Sequence, residues 1–237
     1  MIFDKFGFLN SEIDHVGNPG RVGDACANTF RWLHLTRYLG AGNYAMQDHV
    51  ASLYSLVKTE KGYLRHPESI WRELDFSGDQ AKPLLMGLDS WGLEIEAKEV
   101  SDFHWLRYGN GDLVHPTFKA IASRTKNKSS WFWDISIYLQ VVGMVKVPYR
   151  WNDEYWKQRK WPFEKSKGST ADWLNWVHMI IHAEEKGHTF WTRKAKSFVT
   201  EQFVFEKIQA YFSSEPNSFW LTSLYAKAIS ATYQNQG

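Results

Sequence analysis

Apolar residues in this chain recur at helical spacing, and a glycine follows three of the places where the spacing stops. Between Asp24 and Tyr38, the residues Phe30, Trp32, Leu33 and Leu35 stand in i, i+3 and i+4 relations, and Gly40 closes the run. Residues 44–58 repeat the pattern up to Gly62, with Asn43 placed as a cap. Residues 171–186 repeat it up to Gly187, with Thr170 placed as a cap. A pattern of this period buries one stripe of a helix but no face of a strand. Alternating Val, Ile and Thr are nearly missing, and no strand-like runs flank the one Asn-Gly pair, Asn110-Gly111. The expected fold is all-α: a single domain over residues 1–237 with about eight to ten helices, as a partial α/α toroid or a helical-hairpin array.

The remaining helices are expected at Leu84 to Leu88, with Asp79 or Ser77 near the N-terminus and Pro83 in the first turn, and over 96–106, 116–123, 188–200, 201–212 and 217–233. Residues 131–145 are strongly apolar; their length favours a buried helix, and their β-branched content leaves a strand open. Longer polar connections fall at 61–81 and 148–169. No Pro-, Gly- and Ser-rich linker divides the chain.

A chain of 237 residues can bury a large core without staples. Its 28 basic and 26 acidic residues give a net charge of +2 with no long like-charged block, so nothing marks nucleic acid as a partner. The basic patch at 124–128 reads as a solvated loop. Residues 150–167 mix basic and aromatic side chains that can stack on an anionic polymer; a loop clamped to the core by its aromatics is the plainer reading. Cys26 is the single cysteine, so no disulfide forms within the chain, and a reducing compartment is expected. The first fifteen residues carry Asp4 and no long apolar run, so no signal peptide is expected. No stretch reaches the length of a membrane span. The expected location is cytoplasmic. The 13 tryptophans read mostly as helix-to-helix packing, with a few available to line a ligand groove.

Residues 63–85, YLRHPESIWRELDFSGDQAKPLL, concentrate titratable and hydrogen-bonding groups just before a helix. His66 precedes Pro67, which biases its backbone to an extended form. Asp79 stands where a carboxylate favours a helix start, and capping would satisfy it without chemistry. If this segment lines a pocket, Asp79, Asp24 and His66 are the candidate acid–base groups. Arg65, Gln80, Asn28, Arg31, Trp32, Trp71 and Tyr63 are then the candidate substrate contacts. Asp24, Asn28 and Arg31 share one helical face, which reads either as the solvated face or as a pocket wall. A third group, His178, His182 and Glu185, has a spacing that can ligate a metal. It lacks the HExxH order and a partner helix, so a pair of partly buried histidines is the default, and no cofactor is expected. Phosphate-cradling glycine loops and the GxSxG elbow are missing, and Cys26 has no evident partner for a catalytic thiol.

Gly23-Asp24 precedes a Trp-bearing helix. Tyr63-Leu64-Arg65-His66-Pro67 follows, then Phe76-Ser77-Gly78-Asp79-Gln80 with Pro83-Leu84, Gly111-Asp112-Leu113 with Pro116, and an aromatic C-terminal helix. This order of short motifs resembles a loosely defined family of phage and bacterial proteins, which implies association with a virion as a second possible location. The family pattern has an arginine where this chain has Gly78, so any anion-binding role of that arginine has no counterpart here. The resemblance brings no assigned activity. At the level of fold, the chain is also similar to α/α-toroid glycoside hydrolases and polysaccharide lyases. That similarity implies a hydrolase or lyase acting on an oligosaccharide or cell-wall glycan, with Asp79 and Asp24 as its carboxylates. The alternatives are a non-enzymatic phage-encoded binding or structural protein and a metal-dependent hydrolase using His178, His182 and Glu185.

Overall fold

The helical run that begins after Asp24 forms α1, Ala25–Tyr38, and the next forms α2, Tyr44–Val57. The computed structural model describes residues 2–10, 24–69, 76, 78–108, 174, 177–178, 181–182, 184–185, 201–213 and 215–234. After α2 the chain makes a small antiparallel hairpin, β1 (Lys58–Thr59) with β2 (Gly62–Tyr63), pairing Lys58 with Tyr63 and Thr59 with Gly62. The turn needs glycine: Gly62 has φ 143°, and a Cβ there would lie 2.4 Å from the Phe103 ring. Then come α3 (Gly78–Ser90), α4 (Glu94–Tyr108), α5 (Glu201–Phe212) and α6 (Ser218–Gln234). The described residues between Leu174 and Glu185 are also helical.

The described part is thus mostly helical, as the periodicity implies, with one hairpin that it does not. Its six complete helices are fewer than expected. The segments 116–123, 131–145 and 188–200 lie outside the described residues. Helix α3 starts at Gly78, between the two residues expected near its N-terminus, but Pro83 sits in the second turn, not the first, and leaves the Asp79 carbonyl without its i+4 donor. Packing overrides propensity here: Gln80, Ala81, Lys82, Leu84, Leu85, Met86 and Leu88 are all buried. Asp24 and Asn43 stand at N-cap positions, but neither side chain makes a capping hydrogen bond.

Helix α1 packs on α3 and α6, α3 on α4, and α5 on α6. It is buried on its polar side as well as its apolar side. Phe30, Leu33 and Leu35 are fully enclosed, and so are Asp24, Asn28, Arg31 and His34, at 6%, 2%, 1% and 0% exposure. The Asp24–Asn28–Arg31 stripe is therefore interior, not a solvated face, because neighbouring helices supply polar partners for it. The α1–α3 approach depends on Gly87. A Cβ there would meet Phe30 Cδ1 at 2.8 Å and the Phe30 carbonyl oxygen at 3.0 Å. Beyond this contact, Trp91 donates its indole N–H to the Leu33 carbonyl (3.0 Å), which sets the last turn of α3 beside His34.

Gly87→Leu forces these helices apart and should cost about 1–3 kcal/mol of stability, read by urea denaturation. Unchanged stability would contradict the close approach.

Candidate metal centre

The polar face of α1 carries two networks in series. At its N-terminal end, Asp24 Oδ1 accepts from Gln80 Nε2 (2.7 Å) and Oδ2 accepts from the Tyr211 hydroxyl (2.9 Å). Gln80 Oε1 accepts the Ala27 N–H at 3.2 Å, and Arg31 Nη1 donates to Asn28 Oδ1 at 3.0 Å. Asp24 and Gln80, which the sequence assigned to two facing walls, are in direct contact, and both Asp24 oxygens are engaged. Burial pushes the Cys26 thiol far up, so it stays protonated at neutral pH.

The other sequence candidates around residue 65 are part of the packing. His66 is 1% exposed; its Nδ1 accepts the Glu68 N–H (3.0 Å), so its Nε2–H donates to Asp4 Oδ2 (2.5 Å). The edges of Phe6 and Phe8 close over the ring. Arg65 is buried, and its carbonyl accepts the Cys26 N–H at 3.1 Å. Tyr63 is buried with its hydroxyl 3.2 Å from that of Tyr54, and Trp32 meets Phe3 edge-on. Trp71 and the side chain of Asp79 lie outside the described residues.

The second network lies at the C-terminal half of α1. His34, one turn beyond Arg31, meets His178, His182 and Glu185, whose i, i+4, i+7 spacing puts them on one helical face. His34 Nε2 lies 3.0 Å and His182 Nδ1 3.1 Å from the same atom, Glu185 Oε2. His182 Nε2 lies 2.7 Å from Asp89 Oδ2 at the end of α3. His34 Nδ1 faces His178 Nδ1 at 2.7 Å, and His178 Nε2 faces the Tyr225 hydroxyl of α6 at 2.5 Å. The three imidazoles have no solvent exposure. Glu185 as a residue is exposed, but its side chain is only 20% exposed, so its carboxylate turns inward and forms the outer wall. Beside it, Glu184 accepts the Tyr38 hydroxyl at 2.7 Å.

One proton assignment satisfies every ring nitrogen. Tyr225 donates to His178 Nε2, His178 Nδ1–H donates to His34 Nδ1, and His34 Nε2–H donates to Glu185. His182 donates from both nitrogens, to Asp89 and to Glu185, and is the charged ring. The electrostatics agree. Burial lowers His34, with Glu185 opposing it only in part. Burial and then the neighbouring charges hold His178 well below the usual histidine range. Burial opposes the charged form of His182, but Asp89 and Glu185 outweigh it and raise the ring. Burial would also raise Glu185, yet the His34 and His182 rings beside it hold its carboxyl at about 2.

Three of these residues form a ligand set. His34, His182 and Glu185 each offer one donor atom, and the three atoms lie within 4.8 Å of one another. Of the set read from the sequence, His182 and Glu185 are brought into contact, whereas His178 turns to His34. His34 was missed although it continues the Asp24–Asn28–Arg31 face. Asp89 and Tyr225 carry no local signal at all. A comparison with family models, with curated proteins and with solved structures finds no match to this chain. No helix among the described residues is long and apolar enough to cross a membrane.

The network makes folding stability peak near neutrality. Below the unfolded histidine pKa of about 6.5, the unfolded chain binds protons that native His34 and His178 refuse. Stability should therefore fall by up to about 3 kcal/mol per pH unit on acidification. Above that value, His182 reverses the sign, because the native state holds a proton that the unfolded chain has lost. His178→Asn should roughly halve the acid slope measured by denaturation between pH 5 and 6.5. An unchanged slope would show that His178 is not held neutral.

Proposed function

We propose that this protein is a metal-dependent hydrolase whose centre is His34, His182 and Glu185. The observation that carries the reading is the meeting of two imidazole nitrogens on a single carboxylate oxygen, at 3.0 and 3.1 Å. Two imidazoles and one carboxylate, with a position left for water, are the donors of catalytic zinc and of related first-row metal sites. Ligands about 2.1 Å from a tetrahedral ion stand roughly 3.4 Å apart, so each of the two nitrogen–oxygen pairs needs to spread by only a few tenths of an ångström. Binding displaces the protons on His34 Nε2 and His182 Nδ1. Asp89 keeps the Nε2–H of His182, the carboxylate–histidine arrangement that orients metal ligands. The ion would polarise a bound water and make it nucleophilic near neutral pH.

The glycan-cleaving reading has less support, because Asp24 already has both oxygens hydrogen-bonded inside the protein. A structural, non-enzymatic reading is favoured by one observation: protons alone can satisfy every ring nitrogen of the cluster. Metal binding separates it from the metal reading. For the overall arrangement we retain the helical-hairpin array, in keeping with the sequential contacts of α3 with α4 and of α5 with α6.

Chelator-treated full chain should take up one equivalent of Zn²⁺ in calorimetry. Zn²⁺ at a hundredfold excess over Kd should raise Tm by roughly 5–10 °C. His182→Ala and Glu185→Gln should abolish both effects, and the loaded wild type should hydrolyse members of an ester, phosphoester and glycoside panel. No uptake would leave the structural reading. Uptake without turnover would leave a metal site and remove the hydrolase.

A further inference from the structure

We propose that His178 and Tyr225 are positioning residues of this centre, forming a hydrogen-bond chain whose direction reverses when a cation binds His34. The inference rests on the metal reading above. In the metal-free protein the chain runs from Tyr225 through His178 to His34 and ends on Glu185. That direction puts the proton on His34 Nε2, the atom a metal needs bare. The opposite direction is disfavoured without a cation, because it would set the Nε2 lone pair against the Glu185 carboxylate at 3.0 Å.

A cation at Nε2 removes that conflict and imposes the opposite tautomer. His34 must then carry its proton on Nδ1, 2.7 Å from His178 Nδ1, which must become the acceptor. His178 in turn carries its proton on Nε2, 2.5 Å from the Tyr225 oxygen, which must accept. A neutral imidazole and a phenol can each take either role at such positions. The proton count is conserved along the chain. His34 loses the Nε2 proton to water and gains one at Nδ1 from His178. His178 gains one at Nε2 from Tyr225, and Tyr225 regains one from water and turns its O–H away from His178. Neither imidazole changes charge. His178 thus acts through His34, supplying an acceptor to the buried Nδ1–H that metal ligation creates.

The test uses the full chain labelled with ¹⁵N-histidine, observed by long-range ¹H–¹⁵N correlation before and after one equivalent of Zn²⁺. The expected result is a swap: His34 from Nε2–H to Nδ1–H, and His178 from Nδ1–H to Nε2–H. Zn²⁺ affinity supplies a second readout. His178→Leu, which leaves His34 Nδ1–H without an acceptor, should weaken binding about 10–100-fold. His178→Asn, whose Oδ1 can accept that proton, should restore most of the loss. A His178 tautomer that stays put on Zn²⁺ binding overturns the relay and leaves the metal centre standing. So does a folded His178→Leu protein that binds as tightly as wild type. A wild type that takes no Zn²⁺ overturns both.

Discussion

A helix buried on its polar face needs hydrogen-bond partners for the groups it carries, and α1 is such a helix. Its stripe of Asp24, Asn28, Arg31 and His34 runs along most of α1 and is buried. Gln80 of α3 and Tyr211 of α5 meet Asp24, and His178 and Glu185 meet His34. One layer further out, Asp89 of α3 holds His182 and Tyr225 of α6 holds His178. The arrangement of helices around α1 is therefore specified by hydrogen bonds as well as by apolar packing. An apolar face accepts many rotations of a neighbour; a carboxylate that must reach one imidazole nitrogen accepts few.

The same constraint makes the site costly to damage. Charges and imidazoles withdrawn from water are tolerable only while every partner is present, and removing one leaves the others buried and unmatched. Arg31 shows the reach of this coupling. It is among the largest fully buried side chains, and its charge acts on Cys26, His178, Tyr211 and Tyr225. It spans both networks and ties the Asp24 end of α1 to the histidine end. The histidine end differs in having an outer wall, Glu185, whose side chain retains contact with solvent.

Much of the helical framework was legible in the sequence. The runs ending at Gly40 and the segment from Glu201 to Phe212 fall where the periodicity puts them, because those signals are local. The start of α3 was legible in part: Ser77 and Asp79 marked its N-terminus, and the helix begins at Gly78 between them. The place of Pro83 was not legible, because a proline expected in the first turn is carried in the second, where the helix is buried. The α1 stripe was seen but read outward, since the polar side of an amphipathic helix ordinarily faces water. In the site itself, His182 and Glu185 were legible because they share one helix. His34 lies 144 residues from His178, and Asp89 lies 93 from His182, and no spacing rule reaches across such separations.

Zinc K-edge X-ray absorption on the full chain loaded with one equivalent of Zn²⁺ tests the central claim most directly. The account predicts two imidazole nitrogens and one carboxylate oxygen at about 2.0–2.2 Å, plus a light fourth ligand. That set should lose one imidazole in His34→Ala. A spectrum dominated by oxygen ligands, or one unchanged by His34→Ala, would contradict the metal centre and leave the α1 seam as architecture alone.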